Sequence, residues 1–346
     1  MTQTPVTATA VLTGGTPDAR TTAPAAGLTT GEIVINGVPR RRLRGTDVHV
    51  YPVALGGSTF GWTADAPATQ AILDRYSDAG GNFISVSDHY SSGRAEVMLG
   101  TWIRRRGNRD QLVVATTAGR APEFADGRAA SIIAATEASL VRLGLDHIDL
   151  LGLYGIDDDI RIEEALAAGD ALIRSGKVRH LIANDYSADR LLASRINAAH
   201  LGAPQFVALS TTYNLAERQR YETQLEPVVS VQYLSVIPKH ALAGGFLSGK
   251  FRSRQEAAKS ARGTASLRFM NRAGFRLLQA LEAVAAEQEK PLSTIALAWL
   301  LSKPHVLAPE VSAAAPEQVA GLVAAAGVQL SRHQVSVLDA AGAYRR

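Results

Sequence analysis

The chain has 346 residues, no cysteine, and a formal charge of +4 from 36 Lys and Arg against 32 Asp and Glu. That excess is too small and too dispersed for nucleic acid or a membrane surface to be the partner, which leaves a small organic molecule. The absence of cysteine excludes a disulfide framework, a thiolate metal site and a catalytic thiol, and a cytoplasmic setting is expected.

Residues 1–28 are rich in Ala, Thr, Gly and Pro, with neither a basic start nor an apolar stretch of signal-peptide length. Such a segment buries too little apolar surface to offset its ordering entropy and reads as a disordered tail. Residues 29–346 are expected to form one domain. The dense basic runs, Arg40 to Arg44 and Arg104 to Arg106, read as solvated faces beside element ends.

In chain order, residues 32–35 and 48–51 predict a hairpin. From residue 53 onward, short apolar runs alternate with stretches of helical period, the pattern of repeated βα units around a parallel sheet. Strands are predicted at 53–55, 82–86, 112–116, 148–153, 178–183, 206–209, 235–237 and 306–308. Helices are predicted at 67–79, 129–143, 162–175, 188–200, 273–287, 292–301 and 316–325, with apolar residues recurring at three and four. Gly80-Gly81, Gly144 and Ser175-Gly176 stand where helices stop. Eight runs are what a closed (β/α)8 barrel needs, and the length suits one. The same alternation permits an open doubly wound sheet, but no Gly-x-Gly-x-x-Gly turn follows the first strand. In a barrel the site lies at the carboxyl ends of the strands.

Several segments resemble the aldo-keto reductase family in the family's order, over roughly residues 41–340. They include Val53-Ala54-Leu55-Gly56-Gly57, Phe60-Gly61-Trp62, Asn82-Phe83-Ile84, Ile148-Asp149-Leu150, Tyr213-Asn214-Leu215 and residues 242–250, Leu-Ala-Gly-Gly-Phe-Leu-Ser-Gly-Lys. The resemblance implies a (β/α)8 barrel in which a carbonyl is reduced by hydride from NADPH while a tyrosine hydroxyl supplies the proton. A lysine and a histidine tune that tyrosine, and an aspartate holds the lysine. A free tyrosine titrates near 10, so it needs a nearby cation to share its proton at neutral pH.

Carried over residue by residue, the pattern puts Ser85 at the aspartate, Tyr90 at the tyrosine, Thr117 at the lysine and Tyr154 at the histidine position. Only the tyrosine is kept. The pair that holds the nicotinamide carboxamide reads Asn184-Asp185, and the glutamine of the sixth strand is Ser210. The aromatic beneath the nicotinamide ring is Lys239, followed by His240, and residues 310–315 hold no cation for a 2′-phosphate. A flexible ammonium offers no stacking surface.

The candidate catalytic residues are therefore Tyr90, Tyr154, His89 and Lys239, with Ser85, Asp88, Thr117, Trp62, Asn184, Asp185, Ser210 and His240 as pocket residues. Each has a plain alternative: Tyr90 and Tyr154 as pocket-lining aromatics, Asp88 as a structural carboxylate, His89 turned to solvent, and Lys239 as a surface lysine. No His pair at i, i+4 occurs among the eight histidines, so no metal is expected.

The leading reading is a barrel repurposed for redox-neutral chemistry (dehydration, isomerisation, cyclisation or bond cleavage by a lyase) on a small organic compound of secondary-metabolite type. Tyr90 serves as its general acid, and no cofactor is needed. The alternatives are an NADPH-dependent oxidoreductase with an altered tetrad and a non-catalytic binding barrel, as potassium-channel beta subunits of similar sequence show to be possible. The polar groups retained at the pocket positions speak against the last.

Overall fold

The computed structural model describes residues 32–35, 37–155 and 161–342. The predicted tail, residues 1–28, lies outside these residues. The chain opens with β1 (Glu32–Ile35), β2 (Val38–Arg42) and β3 (His49–Val50), a three-stranded antiparallel sheet. There follow β4 (Ala54–Gly56), α1 (Ala66–Asp78), β5 (Phe83–Ser87), α2 (Arg94–Arg106), β6 (Val113–Thr117) and α3 (Ala129–Leu143). Next come β7 (Ile148–Tyr154), α4 (Ile162–Arg174), β8 (Val178–Asn184), α5 (Ala188–Leu201), β9 (Phe206–Thr212), α6 (Glu226–Gln232) and β10 (Ser235–Lys239). The chain ends with α7 (Arg254–Ala258), α8 (Arg272–Glu287), α9 (Leu292–Leu301), β11 (Glu310–Val311), α10 (Gln318–Val323) and α11 (Arg332–Ala341).

Strands β4 to β10 pair in parallel in chain order, and β11 pairs in parallel with β4, giving the eight-stranded barrel that the alternating pattern predicts. The last strand is divided. Residues 305–307 bond to Val236 of β10, while Glu310 and Val311 bond to β4, so the barrel closes in two steps. The strand expected at 306–308 therefore appears as a bridge at Val306 and a strand four residues later.

Two sequence expectations about the barrel's amino-terminal end are corrected. Strand β1 pairs with β2 rather than with residues 48–51. The basic run 40–44 is a solvated face only in part: Arg42 is exposed, but two others are tied into the fold. Arg41 is only 8% exposed and donates to the carbonyls of Val306 (2.9 Å) and Leu301 (3.0 Å). Arg44 binds Ser235 and the Leu234 carbonyl. Carbonyls at the barrel's closing edge need donors, and the forked guanidinium supplies several at once. Arg105 and Arg106, by contrast, do sit on the surface, paired with Asp74 and Asp78.

Helix α2 was not among the predicted helices. It begins after Gly93 with no side-chain cap and has Gly100 in its middle, so both usual signals are weak. Its reason is tertiary: a Cβ at residue 100 would lie 2.0 Å from the Leu143 carbonyl of α3. Helix α11, also unpredicted, starts with a capping box between Ser331 and Gln334.

The strands fill the barrel by period two. A core of Ala54, Phe83, Val113, Leu150, Ile182, Ala208 and Ile237 packs inside, floored by Leu43, Val48 and Val50. Two or four residues further along the same strands stand Ser85, Thr117, Tyr154, Asn184, Ser210 and Lys239, all lining one cavity. The inward faces thus change from apolar to polar toward the carboxyl ends, as the sequence of each strand dictates. Among the described residues no helix is long and apolar enough to cross a membrane.

Candidate active site

The cavity at the barrel mouth has a volume of about 730 Å3. Of the predicted residues, Tyr90, Tyr154, His89, Lys239, Ser85, Thr117, Asn184, Asp185, Ser210 and His240 all line it. Trp62 and Asp88 do not. Trp62 is 58% exposed on a tight turn through Gly61, which carries the indole outward. Asp88 is buried and accepts backbone N–H bonds from Gly119 (2.7 Å), Arg120 (2.9 Å) and Ala121 (3.2 Å). Burial disfavours its charge, but His89 and these three donors more than offset that and hold its pKa below the usual carboxylate range. Asp88 therefore ties the loop after β5 to the loop after β6.

The backbone at the mouth is strained. Ser91, Ser92, Asp185, His240 and Ala243 all have positive φ although none is glycine, a conformation that costs about 1 kcal/mol or more each. Ser91 and Ser92 turn the chain directly after Tyr90, and the Ser91 hydroxyl donates to the Phe60 carbonyl at 2.8 Å. Strained residues that persist on three of the cavity-lining loops point to a site held by its surroundings.

Several side chains are fixed by one another. Asn184 donates to Thr117 at 2.6 Å, and a Cβ at Gly152 would lie 2.3 Å from the Asn184 amide, so only glycine leaves room for that pair. Ser87 donates to the Thr117 carbonyl at 2.9 Å, so the Nδ1 of His89, 2.8 Å from the Ser87 oxygen, is the donor of that second bond. The His89 ring packs edge-on against Tyr90 with centroids 4.7 Å apart.

Lys239 points inward. Its ammonium lies 2.5 Å from the Asp185 carboxylate, with both side chains largely buried. It also stands 5.4 Å from the centre of the Tyr154 ring, and the Arg120 guanidinium lies 4.0 Å from that ring. Two cations on one aromatic ring stabilise each placement by cation–π attraction. Burial of Lys239 is thus balanced by a carboxylate and a ring face, which answers the cost of an unpaired ammonium.

Sequence reasoning missed four charged groups on the wall: Glu310, Glu317, Arg262 and Lys250. Of these charges, Glu310 acts most strongly on Tyr90. Burial raises the Tyr90 pKa above its ordinary value, the Glu310 carboxylate raises it further, and Arg262 opposes both. The phenol is consequently protonated at neutral pH. Burial also raises Glu310, against the pull of Lys239 and a hydrogen bond from Ser85. His240 is lowered by burial and by the adjacent Lys239. No motif marks Arg262, which follows the short helix α7, and Glu310 lies where the resemblance is weakest.

A nicotinamide ring would need a flat face at residue 239 and amide partners at 184, 185 and 210. Instead the Lys239–Asp185 ion pair takes the place of the flat face, and the Asn184 amide is engaged by Thr117. These groups do not fit that ring.

The profile of the aldo/keto reductase family matches residues 52–343. Among curated relatives, norsolorinic acid reductase stcV of Emericella nidulans is 29% identical over 309 residues, 84% of this chain and 78% of that protein. Norsolorinic acid reductase B of Dothistroma septosporum is 28% identical over 314 residues, covering 85% of this chain and 79% of its own. The aryl-alcohol dehydrogenase [NADP(+)] of Phanerodontia chrysosporium is 26% identical over 329 residues, covering 88% and 85%. With the family profile covering most of the chain and the barrel closed as described, this protein belongs to the aldo/keto reductase family.

Proposed function

We propose that this protein is an enzyme that uses the family's barrel for redox-neutral chemistry on a small organic molecule, with Tyr90 as the proton or hydrogen-bond donor to a substrate oxygen. The observation that carries this reading is the Lys239–Asp185 ion pair, which stands where the family's flat nicotinamide floor would be. The tetrad position at 117 holds no cation, so nothing there lowers the Tyr90 pKa, and a protonated phenol suits a donor role. The relatives carry the names of reductases and a dehydrogenase for norsolorinic acid and aryl alcohols. A cyclic or aromatic oxygenated compound is the kind of substrate those names suggest for this cavity.

A second reading has its own support. The relatives are oxidoreductases, one of them named for NADP(+), and Lys250 and Arg262 give the cavity wall two cations that a phosphate-bearing cofactor would meet. Fluorescence titration with NADPH decides between them. The redox-neutral reading expects no saturation at low micromolar NADPH, and saturation in that range establishes the oxidoreductase reading in its place.

A further inference from the structure

Among the described residues the cavity wall carries three carboxylates: Asp185 is paired with Lys239, Glu317 is an exposed partner of Arg75, and Glu310 is left unaccounted for. It leaves the short strand β11 and leans across Gly56 of β4, where an added Cβ would lie 3.0 Å from its Oε1 and 3.1 Å from its Cγ. That course brings the carboxylate into the cavity that Ser85 of β5 also lines, and Ser85 helps to hold its charge. Gly56 is thus a gap in the wall that lets Glu310 reach inward. Ser85 stands where the family has its aspartate, so the carboxylate lost from β5 returns from the opposite side of β4.

Several buried or half-buried carboxylates among the described residues are neutralised by a cation. Glu96 is paired with Arg142 at 2.6 Å, Asp149 with Arg109 and Arg179, and Asp185 with Lys239. Glu310 forms no ion pair with any described residue. It feels Lys239 and Asp185 through space, and its own charge is felt by Tyr90. A desolvated carboxylate without a direct counter-ion destabilises the fold, and such a group persists where it faces a ligand.

We infer that Glu310 is the proton acceptor opposite Tyr90, so that the cavity takes carbonyl compounds bearing hydrogen on the carbon next to the carbonyl and forms their enolates. This rests on the redox-neutral reading and names its substrate class. The Glu310 carboxylate takes the proton, the C–H electron pair becomes a C=C bond, and the carbonyl π pair moves onto oxygen, where the Tyr90 hydroxyl holds it by a hydrogen bond. Where the substrate has a C=C bond next to that carbon, the enolate is a dienolate; the oxygen pair then re-forms the C=O bond, the C=C pair shifts, and Glu310 returns its proton to the far carbon, which completes an isomerisation with no oxidant or reductant. Burial raises the Glu310 pKa toward the working pH, which is what a general base requires. Tyr90 stays protonated throughout and acts as the donor.

The test is affinity labelling with 2-bromoacetophenone, an aryl ketone whose CH2 carries a leaving group. Tyr90 and Glu310 line the same cavity, so the inference expects the CH2 at Glu310 when the carbonyl oxygen is held by Tyr90. The carboxylate then displaces bromide and forms an ester, a C–O bond replacing the C–Br bond. The chain has no cysteine to intercept the reagent. Intact mass followed by peptide mapping of the unaltered protein is expected to show one ester, on Glu310. The labelling rate should fall at least tenfold in Tyr90→Phe, and Glu310→Gln, with its melt checked by circular dichroism, should remain unlabelled. Modification of His89, His240 or Asp185 instead, absence of any adduct, or an unchanged rate in Tyr90→Phe overturns the inference. The NADPH titration reports separately on the redox-neutral reading. Absent labelling with no NADPH binding removes Glu310 alone, whereas tight NADPH binding removes the reading beneath it.

Discussion

At the amino ends of the strands, charged side chains are bound up in the fold; at the carboxyl ends they face a cavity. Arg41 and Arg44 hold backbone carbonyls where the barrel closes, and Asp149 is fixed by Arg109, Arg179 and the backbone N–H of Val114. At the mouth, Lys239 and Asp185 satisfy each other, but Glu310 and Arg262 have no ion-pair partner among the described residues. One end of the barrel is finished as structure, and the other is left with groups that a ligand can complete.

Disturbing the closed end should cost the most stability and no affinity. Arg41→Leu removes two donors from buried carbonyls and is expected to destabilise by about 3 kcal/mol, read by urea unfolding. Binding of 2-bromoacetophenone at the mouth should be unchanged. A loss of labelling by a variant that is still folded would mean that the two ends are coupled and the contrast is false.

Tyr90→Phe is the converse, because it removes a hydroxyl from the mouth and almost no volume. Turnover of an enolisable ketone should fall about 100-fold, or about 2.7 kcal/mol of barrier, with the thermal midpoint unmoved. Full turnover in that variant would exclude proton or hydrogen-bond donation through Tyr90.

Glu310→Gln should be slightly stabilising, and the sign depends on pH. A carboxyl whose pKa is raised by folding binds its proton more tightly in the folded state. Its ionisation therefore weakens the fold as pH rises from the ordinary carboxylate range through the raised value. The variant should gain about 1 kcal/mol at pH 8, roughly 2 °C in the midpoint, and nothing near pH 4. An equal gain at both pH values would show that packing, not charge, is responsible.

The smallest expected effect is a null. Ser85→Asp with Thr117→Lys and Tyr154→His restores the family's tetrad, yet should give no NADPH-dependent carbonyl reduction. Lys239 and Asp185 still occupy the nicotinamide floor, and a carboxylate at 85 would be repelled by Glu310. Measurable turnover in this triple variant would place the only defect in the tetrad.

Much of this was legible beforehand because it is local. The βα alternation, the glycine stops and the period-two change along strands such as Phe83, Ser85 and Ser87 can be read from a few neighbouring residues. Helix α2 was missed because Gly100 is explained only by the Leu143 carbonyl of another helix. Trp62 was misplaced because the turn at Gly61 decides its direction, and Asp88 because its partners are backbone N–H groups more than 30 residues away.

The sequence by itself determined the barrel and the ring of polar residues at its mouth, since these follow from pattern and spacing along each strand, while Tyr90 was marked by the resemblance to the family. Only the tertiary structure decided that Lys239 turns inward, because its partner Asp185 lies 54 residues away on another strand end. It also decided that Glu310 reaches the cavity, which depends on the missing side chain of Gly56 and the hydroxyl of Ser85. Charge burial is settled by what surrounds a group in three dimensions, and neither pairing leaves a mark in the order of the residues.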